Sequence, residues 1–253
     1  IAKKEKEWFE EKNNQVQIIK SLEYELEKDQ QNRIFIEGKS DQAIFSKVIA
    51  VYFPELEKLI HFDLKGNNCA NSATDRAKAF HLVQKHNKDE HKLKGVLILD
   101  NDFAGKECKK NIDAFVKDST RIYVKISLIP KPPQVYTLIK KGFNIVADLE
   151  SCLPECIWNH ALDNGWLEEK ESMAKKFTEK KMTELFNAGT NPQEYINEQS
   201  VFDKLLINYS FTMKGKEELG KYIRSQSSSV LRSSSTLANF EDLFNEIRNF
   251  IVE

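Results

Sequence analysis

Hydrophobic and polar positions follow two rhythms along this chain. Over residues 3 to 29 apolar side chains recur every three or four positions, at Phe9, Val16, Ile19, Leu22 and Leu26, with mixed charge between them. That period predicts an amphipathic helix or a helix pair. The rhythm then shortens to "RIFIE" (33–37), a strand that breaks at Gly38. "SDQAIFSKVIAVYF" follows with helical spacing, Ser40 as the expected cap, Asp41 in the first turn and Pro54 as the stop. "LIHFDL" (59–64) reads as a second strand, closed by Gly66 and two asparagines, before a helix over about 73–88.

The strongest strand signal is "GVLILD" (95–100), a continuous aliphatic run of the kind buried on both faces of a parallel sheet. It ends in "DNDFAG", and a helix is expected to restart near Lys106. "RIYVKISLI" (121–129) gives a further strand, ended by "PKPP". Strands alternating with helices predict an α/β fold whose parallel sheet has about four strands. From about residue 150 the pattern is mostly helical; the serine-rich stretch 225–236 is expected to be a mobile loop, and "FEDLFNEIRNFIVE" a closing helix. We therefore expect an N-terminal helical segment (1–31), a sheet domain (32–150) and a helical C-terminal region (151–253).

Composition narrows the picture. The 253 residues include 16 Phe and are 40% hydrophobic, enough for a sizeable core. Charged residues form 30% of the chain yet nearly cancel, leaving a net charge of −1. A generally basic nucleic-acid coat is thereby excluded, so any grip on nucleic acid must come from local lysines, such as 106–110 and 175–181, or from bound cations. No apolar run approaches the roughly 20 residues a bilayer span requires, and we expect no membrane association. The four cysteines form no CxxC pair, which predicts reduced thiols and a cytoplasmic location. Cys152, Cys156 and His160 would share a helical face, and we expect buried small side chains there rather than a metal cluster. The chain opens on Ile1, from which we expect a processed or truncated start.

The candidate chemistry lies in carboxylates at strand ends. Glu37 ends one expected strand and Asp100 another, with Asp102 two residues beyond. Ligands of open parallel sheets bind at the carboxyl ends of the strands. Acids converging there repel unless cations lie between them, and hard oxygen donors select Mg²⁺ or Mn²⁺ over zinc. Asp41 has two readings, a metal-site acid or a first-turn helix acid.

"IEGKSD", "LKGNN" and "LILDNDFAG", in that order, resemble the Toprim signature of a Glu after a first strand, a glycine turn after a second and Asp-x-Asp after a later one. The resemblance covers roughly residues 33–130 and implies a Toprim, Rossmann-like sheet. "NIVADLESCLPECIWNHA" and "FTMKGKEELGKYI" are similar to later segments of the overcoming-lysogenisation-defect (OLD) family of Toprim nucleases. That likeness implies a metal ligand at Glu150, with Asp148 as competitor, and an active-site lysine at Lys216, with Lys214 as the alternative. It implies two Mg²⁺ or Mn²⁺ ions bound by Glu37, Asp41, Asp100, Asp102 and Glu150. The catalytic set would be Glu37, Asp100, Asp102, Glu150 and Lys216. The activity implied is endonucleolytic hydrolysis of DNA in antiphage defence, beside an ABC-type ATPase on a separate or fused chain, since no GxxxxGK[ST] loop is present here. RNA cleavage, a catalytically silent Toprim module and a homodimer through the terminal helices stay open as alternatives.

Overall fold

The computed structural model describes residues 2–64, 70–88, 92–117, 119 and 121–252; the side chains of residues 2–5 and 7–9 are not described. Gly66 and the asparagines after it, one of the four cysteines (Cys69) and the Phe9 side chain lie outside the described set. The elements run α1 (Ala2–Asp29), β1 (Asn32–Phe35), α2 (Lys39–Tyr52), β2 (Ile60–Asp63), α3 (Ala70–His86), β3 (Gly95–Leu99), α4 (Phe103–Val116) and β4 (Val124–Leu128). They continue as α5 (Pro133–Lys140), α6 (Glu155–Asp163), β5 (Leu167–Glu169), α7 (Met173–Lys176), α8 (Glu179–Asn187) and α9 (Pro192–Asn197). The chain ends through α10 (Val201–Asn208), β6 (Tyr209–Phe211), α11 (Met213–Ser225), α12 (Ser228–Ser233) and α13 (Glu241–Val252). Two compact units result: residues 1–42, 53–128 and 243–253 form the first, and residues 43–52 and 129–242 the second.

The first unit carries a four-stranded, all-parallel sheet in the order β2-β1-β3-β4. All five residues of β3 are buried, as the unbroken aliphatic run requires. Phe35, Leu97, Leu99 and Val124 share one core with Leu22 and Leu26 of α1, Ala73, Ala77 and Phe80 of α3, and Cys108, Ile112 and Val116 of α4. Phe80 meets Phe35 edge to face at 5.6 Å. Among the described side chains of α1, burial falls in its last turns. Leu22 and Leu26 are buried, whereas Val16 is 47% exposed.

A charged network sits within this unit. Arg76 of α3, 5% exposed, holds both carboxylate oxygens of Asp63 through Nε and Nη2 and also donates to Glu25 at 3.1 Å. Asp63 is the last residue of β2, so this pair ties the strand end to α3 and α1. Arg33, fully buried, is bound by Asp29 through two 2.8 Å hydrogen bonds.

The second unit is built from helices with one antiparallel strand pair, β5–β6, that the hydrophobic pattern did not predict. Its three-residue strands are too short to show a period. Phe143, Phe177 and Tyr195 form an aromatic cluster with centroids 4.9, 5.5 and 6.2 Å apart, and Trp158 meets Phe211 at 5.0 Å. The serine-rich stretch is not a bare loop: Ser227 caps α12, Leu231 is buried, and the Arg232 guanidinium donates to the Val51 carbonyl. Serine at a cap and a buried leucine together outweigh the composition.

Removing Arg76 would leave two carboxylates without their buried cation. An Arg76→Ala variant is expected to lose about 3–5 kcal/mol of stability, measured by urea unfolding, whereas Val16→Ala should change it by less than about 0.5 kcal/mol.

Candidate functional site at the strand ends

In β1 and β3, Phe35 lies opposite Leu97, and the register carries both chains out of the sheet side by side. Glu37 stands two residues past Phe35 and Asp100 three past Leu97. Their closeness shows in one contact: the Asp100 backbone N–H points to Glu37 Oε1 at 3.4 Å. Because β2 lies on the far side of β1 and β4 on the far side of β3, the chain leaves these two strands in opposite directions. That is a topological switch point, the place where open α/β sheets hold their ligands.

Asp102 is the N-cap of α4, its Oδ1 accepting the Gly105 N–H at 2.7 Å. The helix thus begins at Phe103, three residues before the position expected from periodicity, because the acid itself supplies the cap. Gly105 follows from the same turn. A Cβ there would stand 2.0 Å from the Asp100 carbonyl oxygen, so only glycine lets α4 start so close to the end of β3.

Asp41 is explained locally. The Gly38 carbonyl accepts the first helical bond, from Gln42, so Gly38 and not Ser40 is the cap of α2. Asp41 Oδ2 reaches back to the Gly38 N–H at 3.0 Å and Oδ1 accepts from Ser40 Oγ at 3.2 Å. This is one half of a capping box, the N3 acid reaching back to the N-cap N–H, since glycine has no side chain to complete the other half. Gly38 needs no special room: a Cβ there would meet Ser40 Oγ at an ordinary 3.6 Å.

The later candidates belong to the second unit. Glu150, 2% exposed, opens a short 3₁₀ turn, Glu150–Cys152, and accepts from Lys216 Nζ at 3.0 Å. Lys216 comes from the first turn of α11, which starts after its Thr212 cap; Lys214 is exposed. Here too a glycine permits close approach, because a Cβ on Gly215 would lie 2.1 Å from the Trp166 carbonyl oxygen. The Trp158 indole N–H donates to the Glu150 carbonyl at 3.1 Å.

Asp148 completes this cluster. Its Oδ1 accepts the Ser151 N–H at 2.9 Å, and its carbonyl accepts Ser151 Oγ at 2.7 Å. Burial and the neighbouring Glu150 charge push the Asp148 carboxyl up to about 7, with Lys216 acting in the opposite sense. Lys170, whose Nζ donates to the Leu206 carbonyl at 3.2 Å, is pushed below the usual lysine range mainly by burial. Lys176, 5% exposed, pairs with Glu169 at 3.5 Å. Neither lysine stands out in the sequence, where both read as members of solvated charge runs.

The donor set at the strand ends is all oxygen, which suits Mg²⁺ or Mn²⁺. Among the described residues, however, no group of three or more His, Cys, Asp or Glu side chains is drawn together closely enough to hold a metal ion. Glu37 and Asp100 are the pair brought into contact; Asp102 and Asp41 are each turned toward a backbone N–H. Of the expected buried cysteines, Cys152 is buried and donates to the Pro130 carbonyl at 3.2 Å, while Cys156 is exposed. His160 stacks on Tyr222 at 4.2 Å.

No protein-family model, curated protein or solved structure matches this chain.

Two outcomes follow from this geometry. Gly105→Ala is expected to destabilise by about 1–3 kcal/mol through overpacking against Asp100. Gly38→Ala should cost less than about 1 kcal/mol, since only the choice of cap residue changes; thermal melts of both variants make the comparison. The raised Asp148 pKa makes the folded state bind a proton that the unfolded state has released. Its contribution to stability is therefore complete below about pH 4 and is lost as pH rises through about 7. Asp148→Asn is expected to flatten that fall in stability in urea titrations between pH 4.5 and 8.

Proposed function

We propose that the chain is a Toprim-type phosphodiesterase that hydrolyses DNA with Mg²⁺ or Mn²⁺. The observation that carries this reading is the contact between Glu37 and the Asp100 N–H at the carboxyl ends of two adjacent parallel strands. The contact places the Glu37 carboxylate beside the start of the Asp100 turn, and a switch point is where such a sheet binds its ligand.

In this proposal Glu37, Asp100 and Asp102 hold the cations. Two divalent ions on a phosphodiester supply a reactive water and steady the leaving oxygen. The protein's own part is to fix the carboxylates: the Asp100 N–H orients Glu37, and the Gly105 N–H orients Asp102. With Asp41 engaged in capping, its part in this site is to hold the Glu37–Gly38 backbone in place. Glu150 and Lys216 keep, as proposals, the metal-binding and charge-neutralising roles that the OLD resemblance gives them; their support is the 3.0 Å pair they form. A role in antiphage defence beside an ATPase belongs to the same proposal and rests on the resemblance alone.

Supercoiled plasmid incubated with Mn²⁺ should be nicked by the wild-type protein and left intact in EDTA. Glu37→Ala and Asp100→Ala are expected to lower the rate about 100-fold or more, the loss of several kcal/mol of metal-assisted stabilisation. Equal cleavage by wild type and variants would sink the assignment of these acids. Transfer RNA and ribosomal RNA in parallel reactions decide between DNA and RNA as substrate.

A further inference from the structure

Phe103 is the first residue of α4, directly after Asp102, and it is 82% exposed. Its position follows from helix geometry. The buried side of α4 is Gly105, Cys108, Ile112 and Val116. At about 100° per residue, Phe103 lies roughly opposite the middle of that stripe. No rotation of the helix can bury both. Lys106 and Lys110 are exposed on the same side, within about 60° of Phe103, and Lys117 follows at the C-cap. Lys106 and Lys110 are separated by about 6 Å along the axis, so cations recur up the helix from the aromatic ring. Glu107 borders the row, and Lys109, to one side, is paired with Asp113 at 3.2 Å.

An isolated exposed aromatic is unremarkable on a protein surface. One that opens a lysine row and directly follows a candidate catalytic acid combines two chemistries. A ring offers a stacking face to any nucleobase, and the lysines offer charge to the phosphates on either side of it. The geometry points to the exposed face of α4 as a single-strand track, on which Phe103 stacks one unpaired base and Lys106 and Lys110 engage the adjoining backbone. This deepens the proposed function, naming an unpaired stretch of nucleic acid as the form of substrate recognised, and it rests on that reading.

The test is fluorescence anisotropy with a labelled oligothymidylate strand in EDTA, so that binding is read without cleavage. Phe103→Ala should weaken binding about 5- to 100-fold, and Phe103→Trp should restore it. On an abasic strand of equal length, wild type and Phe103→Ala should bind alike, because no base remains to stack. Lys110→Gln should lower the slope of log affinity against log salt by about 0.7, the share of one phosphate contact on a single strand. An oligouridylate strand should show the same Phe103 dependence, since stacking is indifferent to the sugar. The inference is overturned if Phe103→Ala binds oligothymidylate as the wild type does, or if its loss is the same on the abasic strand. A docking surface for another protein would give that first result. The plasmid assay keeps the two readings separate: base-dependent binding with no metal-dependent cleavage removes the hydrolase and leaves the track. Cleavage with unaltered Phe103→Ala binding does the reverse. All three substitutions are at exposed positions, and unchanged melting temperatures confirm that each variant is folded.

Discussion

The organisation of the candidate site depends on the pairing of β1 with β3. The chain makes β1, moves outward to β2, returns past β1 to make β3, and moves outward again to β4. Parallel pairing gives all four strands the same polarity, so the loops that follow them leave by one edge. Only between β1 and β3 do successive loops diverge, and only there can two strand ends present side chains to a common space without a crossover covering it. Glu37 and Asp100 occupy that position because Phe35 and Leu97 are in register. A slip of one residue would turn the buried side chains of β1 toward the opposite face, and the core around Phe35 and Phe80 resists it.

The two units treat their acids differently. At the strand ends three carboxylates meet a backbone N–H: Glu37 that of Asp100, Asp102 that of Gly105, Asp41 that of Gly38. Such donors orient an acid while it stays at the rim of the sheet, partly open to solvent. Within the second unit Glu150 is buried, its charge is met by Lys216, and burial beside that charge pushes the Asp148 carboxyl up to about 7. Burial makes a bare carboxylate costly, so a cation takes the place of water at Glu150. The first arrangement leaves its acids at the solvent-facing rim, and the second compensates charge internally.

How much of this was legible follows the length of each signal. The four parallel strands and their intervening helices were readable because runs such as "GVLILD" are long and uniform, and because a parallel pair requires a crossover. The start of α4 was misplaced, since the cue there is one capping bond from Asp102 rather than a periodic pattern. Asp41 could not be assigned from sequence, because a metal ligand and a capping acid are the same residue type at the same spacing. The β5–β6 pair was missed because three residues per strand hold no period. The burial of Lys176 was missed because lysines in charge runs read as solvated. Glu150 and Lys216 are separated by 66 positions, and no local pattern connects them; only the family likeness singled out both.

The segment "DNDFAG" shows how several constraints act on six residues. Asp100 directly follows the strand, Asp102 caps the helix, and only glycine at position 105 clears the Asp100 carbonyl. Those three fix where α4 begins and which side it buries, and residue 103 is thereby directed into solvent. A polar residue at that position would satisfy the fold equally well. Burying a phenylalanine contributes about 1.5–3 kcal/mol, and here that contribution is forgone. The fold therefore accounts for the exposure of position 103 but not for its being aromatic, so the reason for a ring there has to be sought in what the surface meets.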